Sequence, residues 1–342
     1  MPPRWSTLRL TQKVPVSGPR SILTDPLVGE GAVYASDPFG GDVVCFDRQG
    51  FRETWRIPSR QLWPRWSYGR HLLISSLEAS VVDATDGRVL WTRSCRFGAV
   101  AWCGEIVLQQ PEGIEIVEAA TGEVRESIPV PGGLSTSARL CGDVLIVKTA
   151  FRPDLPVRAF HLRERRVVWE RMLVAEAVAR SGVEDPDPLL SFAESVNERL
   201  VMTCGRLTLA CSLVDGRMLW HAPVPVTYHW PNVHAGRVYV LFLDRFIAID
   251  ELTGEIVYDV LHPELRGAYR ARPGTVYGET IAFANESGHL AVFDLRDGSL
   301  VWLHKYKAPL WGTAEADGRL LVSTGDGKLL VFEEKPGKGK AT

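Results

Sequence analysis

No stretch of this 342-residue chain approaches the ~20 consecutive apolar residues that a membrane-spanning helix needs. The first residues, Met1-Pro-Pro-Arg-Trp-Ser-Thr7, carry neither the apolar segment of a secretory leader nor a lipobox cysteine. Both absences lead to the expectation of a soluble, cytoplasmic protein without membrane contact. An excess of one charge is missing too: 39 Lys and Arg stand against 41 Asp and Glu, a net charge of −2. That balance supplies no global field for nucleic acid or acidic lipid, so neither is expected as a partner. Cysteine is sparse. Cys45, Cys95, Cys103, Cys141, Cys204 and Cys211 include no adjacent pair and no Cys-x-x-Cys, which argues against zinc and for small buried thiols. There is no Gly-x-Ser-x-Gly, no Walker loop and no His-Glu-x-x-His. The eight histidines are dispersed, and His221, His229 and His234 read as strand-end surface residues rather than ligands. No acidic cluster with oxygen-ligand spacing lies outside the turns described next.

What is present is a repeat. One copy reads Asp83-Ala-Thr-Asp-Gly87-Arg-Val-Leu-Trp91 and another Asp294-Leu-Arg-Asp-Gly298-Ser-Leu-Val-Trp302. Between them lie Glu118…Gly122…Glu126, His161…Arg165…Trp169, Ser212…Gly216…Trp220 and Asp250…Gly254…Tyr258. The acid can accept backbone N–H bonds within the turn, and Gly takes a φ > 0 position at no steric cost. The aromatic follows on the next strand, where a wide ring can dock on a neighbouring sheet. Glu126 departs from the aromatic and Arg165 from the glycine.

Each unit follows two short strand-like runs, such as Thr280-Ile-Ala-Phe-Ala284 and Leu290-Ala-Val-Phe-Asp294 around a turn ending in Gly288. The acid-equivalent positions are Asp47, Asp83, Glu118, His161, Ser212, Asp250, Asp294 and Glu333, at intervals of 35 to 51 residues. One such unit cannot bury both its faces, whereas several arranged radially can. The pattern predicts a single all-β domain over residues 1–334: an eight-bladed propeller of four-stranded antiparallel blades, with seven blades as the alternative. The first copy, Asp47-Arg-Gln-Gly50, has its glycine one place early. The last copy ends after Phe332 without an outer strand, while the strand-like run Trp5–Val14 has no hairpin of its own. That run is expected to complete the last blade and close the ring, removing exposed edges.

On these residues the chain resembles the quinoprotein-like, or pyrroloquinoline-quinone-like, repeat β-propellers. Thr121-Gly122 and Thr253-Gly254 carry the family's Thr-Gly turn, and Asp86-Gly87, Asp215-Gly216 and Asp297-Gly298 its Asp-Gly form. The resemblance covers nearly the whole chain. It implies that Trp91, Trp169, Trp220 and Trp302 dock on the next blade and are largely buried. Enzymes of the family hold quinone with calcium or a lanthanide through a Glu, an Asn and an Asp, and many carry a disulfide between adjacent cysteines. The adjacent pair is absent here. The reading is therefore of a non-catalytic member with no cofactor and no metal, most simply a monomer that binds a protein or peptide. The alternatives are a small-molecule sensor or a quinone-dependent oxidoreductase-like enzyme.

The longest interval, between His161 and Ser212, holds an insertion over about 172–192 whose first half has helical composition and which Gly182 and two prolines stop. Residues 335–342 read as a disordered tail. Residues just before the first strand of several blades include Trp63, Phe97, Trp230, Arg272 and Trp311, with Trp66 and His229 close by. Aromatics with Arg often anchor binding surfaces, so this channel mouth is the expected contact face. The competing explanation is that the rings fill the channel.

Overall fold

The computed structural model describes residues 5–17, 23–37, 41–58, 63–130, 134, 138–148, 156–181, 190–196, 198–204, 207–224, 231–265 and 274–335. These residues form eight four-stranded sheets. In seven of them the strands are consecutive in sequence and ordered one to four from edge to edge. They lie within 27–58, 63–94, 99–129, 139–171, 190–222, 232–261 and 275–305, and are blades 1 to 7. Blade 8 takes Leu310–Ala316, Arg319–Thr324 and Lys328–Glu334 as its first three strands and Leu8–Pro15 as its fourth. The fold is an all-β, eight-bladed propeller, and the N-terminal strand completes its last blade. Leu8 pairs antiparallel with Glu334 and Pro15 with Lys328.

Two compact units are present. One comprises residues 1–64, 243–246 and 258–342 and holds blades 1, 7 and 8. The second and third strands of each blade are buried on both faces, so they read as continuous apolar runs rather than alternating ones. Alternation then assigns each side chain to a layer. Leu320, Val322, Leu330 and Phe332 pack with Ala282, Leu290 and Val292 of blade 7. Leu321, Leu329 and Val331 pack with Val33, Val44 and Phe46 of blade 1. The other unit comprises 65–242 and 247–257. It is built the same way, with a core at each junction from blade 2 to blade 6.

The repeated turn sets those junctions. Asp83, Asp250 and Asp294 each accept the backbone N–H two residues on, from Thr85, Leu252 and Arg296, at 2.9 to 3.0 Å. Ser212 does so through Oγ, and His161 offers Nδ1 to the N–H of Glu164 at 3.2 Å. The backbone then closes from Gly87 N–H to Asp83 O at 2.9 Å. A bulge follows in the strand pair, so the aromatic lies opposite the residue two before the acid: Trp91 faces Val81, Trp220 faces Ala210 and Trp302 faces Val292.

The aromatic then reaches the next blade at two fixed points. Its polar atom donates to the carbonyl of the residue after that blade's turn acid. Trp91 Nε1 bonds Ala119 O at 2.8 Å, Trp169 bonds Leu213 O at 2.8 Å, Trp220 bonds Glu251 O at 2.7 Å, and Tyr258 Oη bonds Leu295 O at 3.3 Å. Its ring lies on that blade's turn glycine. Gly216 has φ +68°, and a Cβ there would come 2.6 Å from the Trp169 ring. The same contact recurs at Gly122, Gly254 and Gly298. Glycine is thus needed twice over, for backbone conformation and for the ring's approach.

The structure amends several expectations. Trp169 and Trp220 are buried, but Trp91 and Trp302 are only half-buried. Trp302 stacks on His304 at 5.6 Å and meets Phe332 edge-on. In blade 1 the turn closes on Phe51, not Gly50: Phe51 has φ +53° and its N–H bonds Asp47 O at 3.2 Å. Among the described residues of the insertion, Leu173–Ser181 is a helix whose Leu173 and Ala177 join the core between blades 4 and 5, and Leu190–Val196 is the first strand of blade 5.

Candidate functional site

The residues expected at a channel mouth fall in different places. His229, Trp230 and Arg272 lie outside the described residues. Trp63 is the first residue of the strand Trp63–Tyr68, and its side chain is likewise outside the description. Trp66, on that strand, is half-buried, packs on the core between blades 2 and 3, and stacks on the exposed Tyr68 at 5.7 Å. Phe97 is half-buried against the core of Trp102, Leu134 and Ala138, with its N–H bonded to Gln109 O at 3.1 Å. Phe97 therefore fills a junction.

Trp311 is different. It is the second residue of the first strand of blade 8, and the ladder jumps across it: Leu310 pairs with Thr324 and Gly312 with Ser323. A bulge of this kind re-aims the extra residue's side chain. The indole runs over Gly325, where a Cβ would stand 3.1 Å from Nε1 and 3.2 Å from Pro309. On the other side Gly312 admits Asp25, whose Oδ1 would lie 2.0 Å from a Cβ at 312. Gly325 thus leaves room for this half-buried ring, and Gly312 leaves room for Asp25.

Charge beside Trp311 is internally balanced. Asp326 accepts from Thr324 Oγ1 at 2.7 Å and pairs with Lys328 Nζ at 2.5 Å. Burial pushes the Asp326 carboxyl up, but Lys328 and Thr324 outweigh it and leave the group below the usual range. Thr313, two residues past Trp311, shares a 2.7 Å hydroxyl bond with Thr275 on the first strand of blade 7.

The turn acids are committed to structure. Both oxygens of Asp83 are engaged, by Thr85 and by Arg70 at 2.7 Å, and its carboxyl is held down to about 2 mainly by the Thr85 hydroxyl and N–H. Asp294 is held by Arg296 through N, Nε and Nη2. Among the described residues no three His, Cys, Asp or Glu side chains converge as metal ligands. Among the described residues no helix is long and apolar enough to cross a membrane.

Two compensated junctions escaped the sequence reading. At the junction of blades 3 and 4, Glu126 stands in the aromatic's place and Arg165 in the glycine's. The two form an ion pair at 2.6 Å, with Arg165 at φ +55°. At the junction of blades 8 and 1, Arg319 does the aromatic's work. Its Nη1 donates to Arg48 O, the carbonyl after the turn acid, at 3.2 Å, and its guanidinium lies 5.5 Å from the Phe51 ring centre. The signal available in sequence was that departures from the repeat fall in adjacent blades.

A sequence model described as outer membrane protein assembly factor BamB matches residues 154–315. Three solved structures share the architecture. BamB from Moraxella catarrhalis is 15% identical, with a TM-score of 0.70 over 96% of this chain and 98% of that one. The computationally designed Ika8 protein is 12% identical, with a TM-score of 0.73 over 94% and 98%. A europium-containing methanol dehydrogenase is 11% identical, with a TM-score of 0.69 over 96% and 93%. No curated protein matches. Residues 154–315 thus match a pyrroloquinoline-quinone-like repeat family, and the chain shares the fold of such β-propellers. An assembly factor, a designed chain and a dehydrogenase fit the fold about equally well, so the fold alone selects no activity.

Proposed function

We propose that this chain is a non-catalytic propeller that binds a protein or peptide, with Trp311 as an anchor of the contact face. The observation that carries this reading is the bulge at Trp311, which takes one ring out of the ladder and aims it over Gly325. A half-buried ring set on a bulge suits an apolar anchor from a partner. The matched description, an assembly factor, agrees with a partner-binding role. The near-neutral charge supports a protein or peptide over nucleic acid or an acidic membrane as the partner.

The reading is tested by capture. Tagged wild-type and Trp311→Ala chains, matched by circular dichroism, are used as bait in the native cell. The variant should lose the main wild-type partners; equal capture contradicts the reading. The runner-up is a quinone-dependent enzyme, as in the dehydrogenase neighbour. Adding pyrroloquinoline quinone with calcium should leave Tm unchanged and give no dye-linked alcohol oxidation. A clear rise in Tm, or turnover, puts the enzyme first.

A further inference from the structure

We propose that the edge of Lys328–Glu334 and the Trp5 pocket beside it form a receptor for an extended strand. In this structure the chain's own Leu8–Pro15 fills it, and the same segment of a second copy can replace it. This site is separate from Trp311 and does not depend on its role.

The contacts divide into two kinds. The first is an anchor. Trp5 is fully buried, stacks on Tyr277 at 5.1 Å, and donates from Nε1 to Gly318 O at 3.1 Å, while its own N–H bonds Thr280 Oγ1 at 3.1 Å. Leu8, three residues on, is also buried. The second kind is the ladder. Arg9, Thr11, Gln12, Lys13 and Pro15 are exposed, so here the segment is held mainly by main-chain pairing, with half-buried Leu10 and Val14 packed on the cores shared with blades 7 and 1. Thr11 adds one bond, from Oγ1 to Val331 O at 3.1 Å.

That division is the logic of strand addition: main-chain bonds give affinity and a side-chain pocket gives specificity. The sequence the receptor reads is short, a Trp followed three residues later by Leu. Its occupant comes from the chain's N-terminal end and reaches blade 1 only through residues 16–26. A second copy offers an identical segment, and exchange remakes every native contact, which makes swapping a terminal element a low-cost route to a dimer. Without an occupant, the edge would expose unpaired N–H and C=O groups.

The test keeps the whole chain. A protease site is inserted after Ser17, the purified protein is nicked, and a fluorescein-labelled peptide of residues 1–17 is added. The nicked protein should keep its segment and its fold, then take up about one equivalent of label, displaced by unlabelled peptide. A peptide with Trp5→Ala should bind at least about tenfold more weakly. The intact chain at high concentration should form a dimer that excess peptide disperses. Failure of the folded nicked protein to take up label overturns the receptor, as does equal binding of the Trp5→Ala peptide. A nicked protein that aggregates and is not restored by peptide also overturns it. Absence of a peptide-sensitive dimer overturns the second copy as occupant.

Discussion

Glu126 and Arg165 meet at 2.6 Å in the two positions where other blade junctions put a ring and a glycine. Both departures from the repeat are thus one substitution in two parts. Arg165 keeps the left-handed backbone that its turn requires, at φ +55°, and its side chain reaches the strand where a ring would lie. Because the pair is exposed, Glu126→Ala or Arg165→Ala should each cost only about 0–1 kcal/mol. Glu126→Trp alone should cost more, because Arg165 occupies the ring's place. Joined to Arg165→Gly, it should recover stability to wild type or above. A denaturant double-mutant cycle measures the coupling, and additive effects would show that the two positions do not share one contact.

Ring-on-glycine contacts make a sharper stability prediction. Trp169→Ala should cost about 3–5 kcal/mol, and Trp302→Ala clearly less, because Trp302 is only half-buried. Gly216→Ala combines a left-handed backbone with a 2.6 Å approach to the Trp169 ring and should destabilise by about 1–3 kcal/mol. Gly31→Ala has open space around it and should stay within about 0.5 kcal/mol. Urea melts rank the four, and an unperturbed Gly216→Ala would remove the steric argument.

Much of this architecture was legible in the sequence because one unit recurs with the same chemistry: Asp83, Gly87 and Trp91, then Asp250, Gly254 and Tyr258, then Asp294, Gly298 and Trp302. The closing strand was legible because the last copy lacked an outer strand that residues 5–14 could supply. The compensations were not. Arg319 and Phe51 are far apart in the chain and match no unit, so only folding shows that a cation over a ring replaces a ring over a glycine. Phe51 was hidden because Gly50 sits beside it and offers the expected residue one place early. Trp311 was singled out by position, but the bulge that re-aims it leaves no mark in composition. Phe97 shared that position and proved to be packing.

Acid stability should depend on Asp83. Its carboxyl is held down to about 2, first by the Thr85 hydroxyl and N–H and then by Arg70. A carboxyl depressed in the folded state binds fewer protons there than in the unfolded chain. Its stabilisation is therefore present above about pH 4 and is lost as pH falls toward 2. Asp83→Asn should flatten the stability–pH slope over that window. An unchanged slope would show that other carboxyls carry it.

His304 should respond at higher pH. Burial, and then Lys13 on the closing strand, lowers its pKa below the usual histidine value. The unfolded chain then binds the proton more readily, so stability falls as pH drops below about 6.5. Lys13→Gln should raise the His304 pKa and shrink that loss, which NMR titration of the ring can follow. No movement on replacing Lys13 would remove the closing strand from the effect.

The most direct measurement of the functional reading is cross-linking at position 311. A photoreactive benzoylphenylalanine is placed at Trp311, and in a parallel chain at Val89, an exposed residue of blade 2. Both are irradiated in the native cell, and adducts are identified by mass spectrometry. The account predicts a discrete protein or peptide adduct from position 311 that is missing from position 89. No adduct at 311, or the same adducts at both positions, would contradict it.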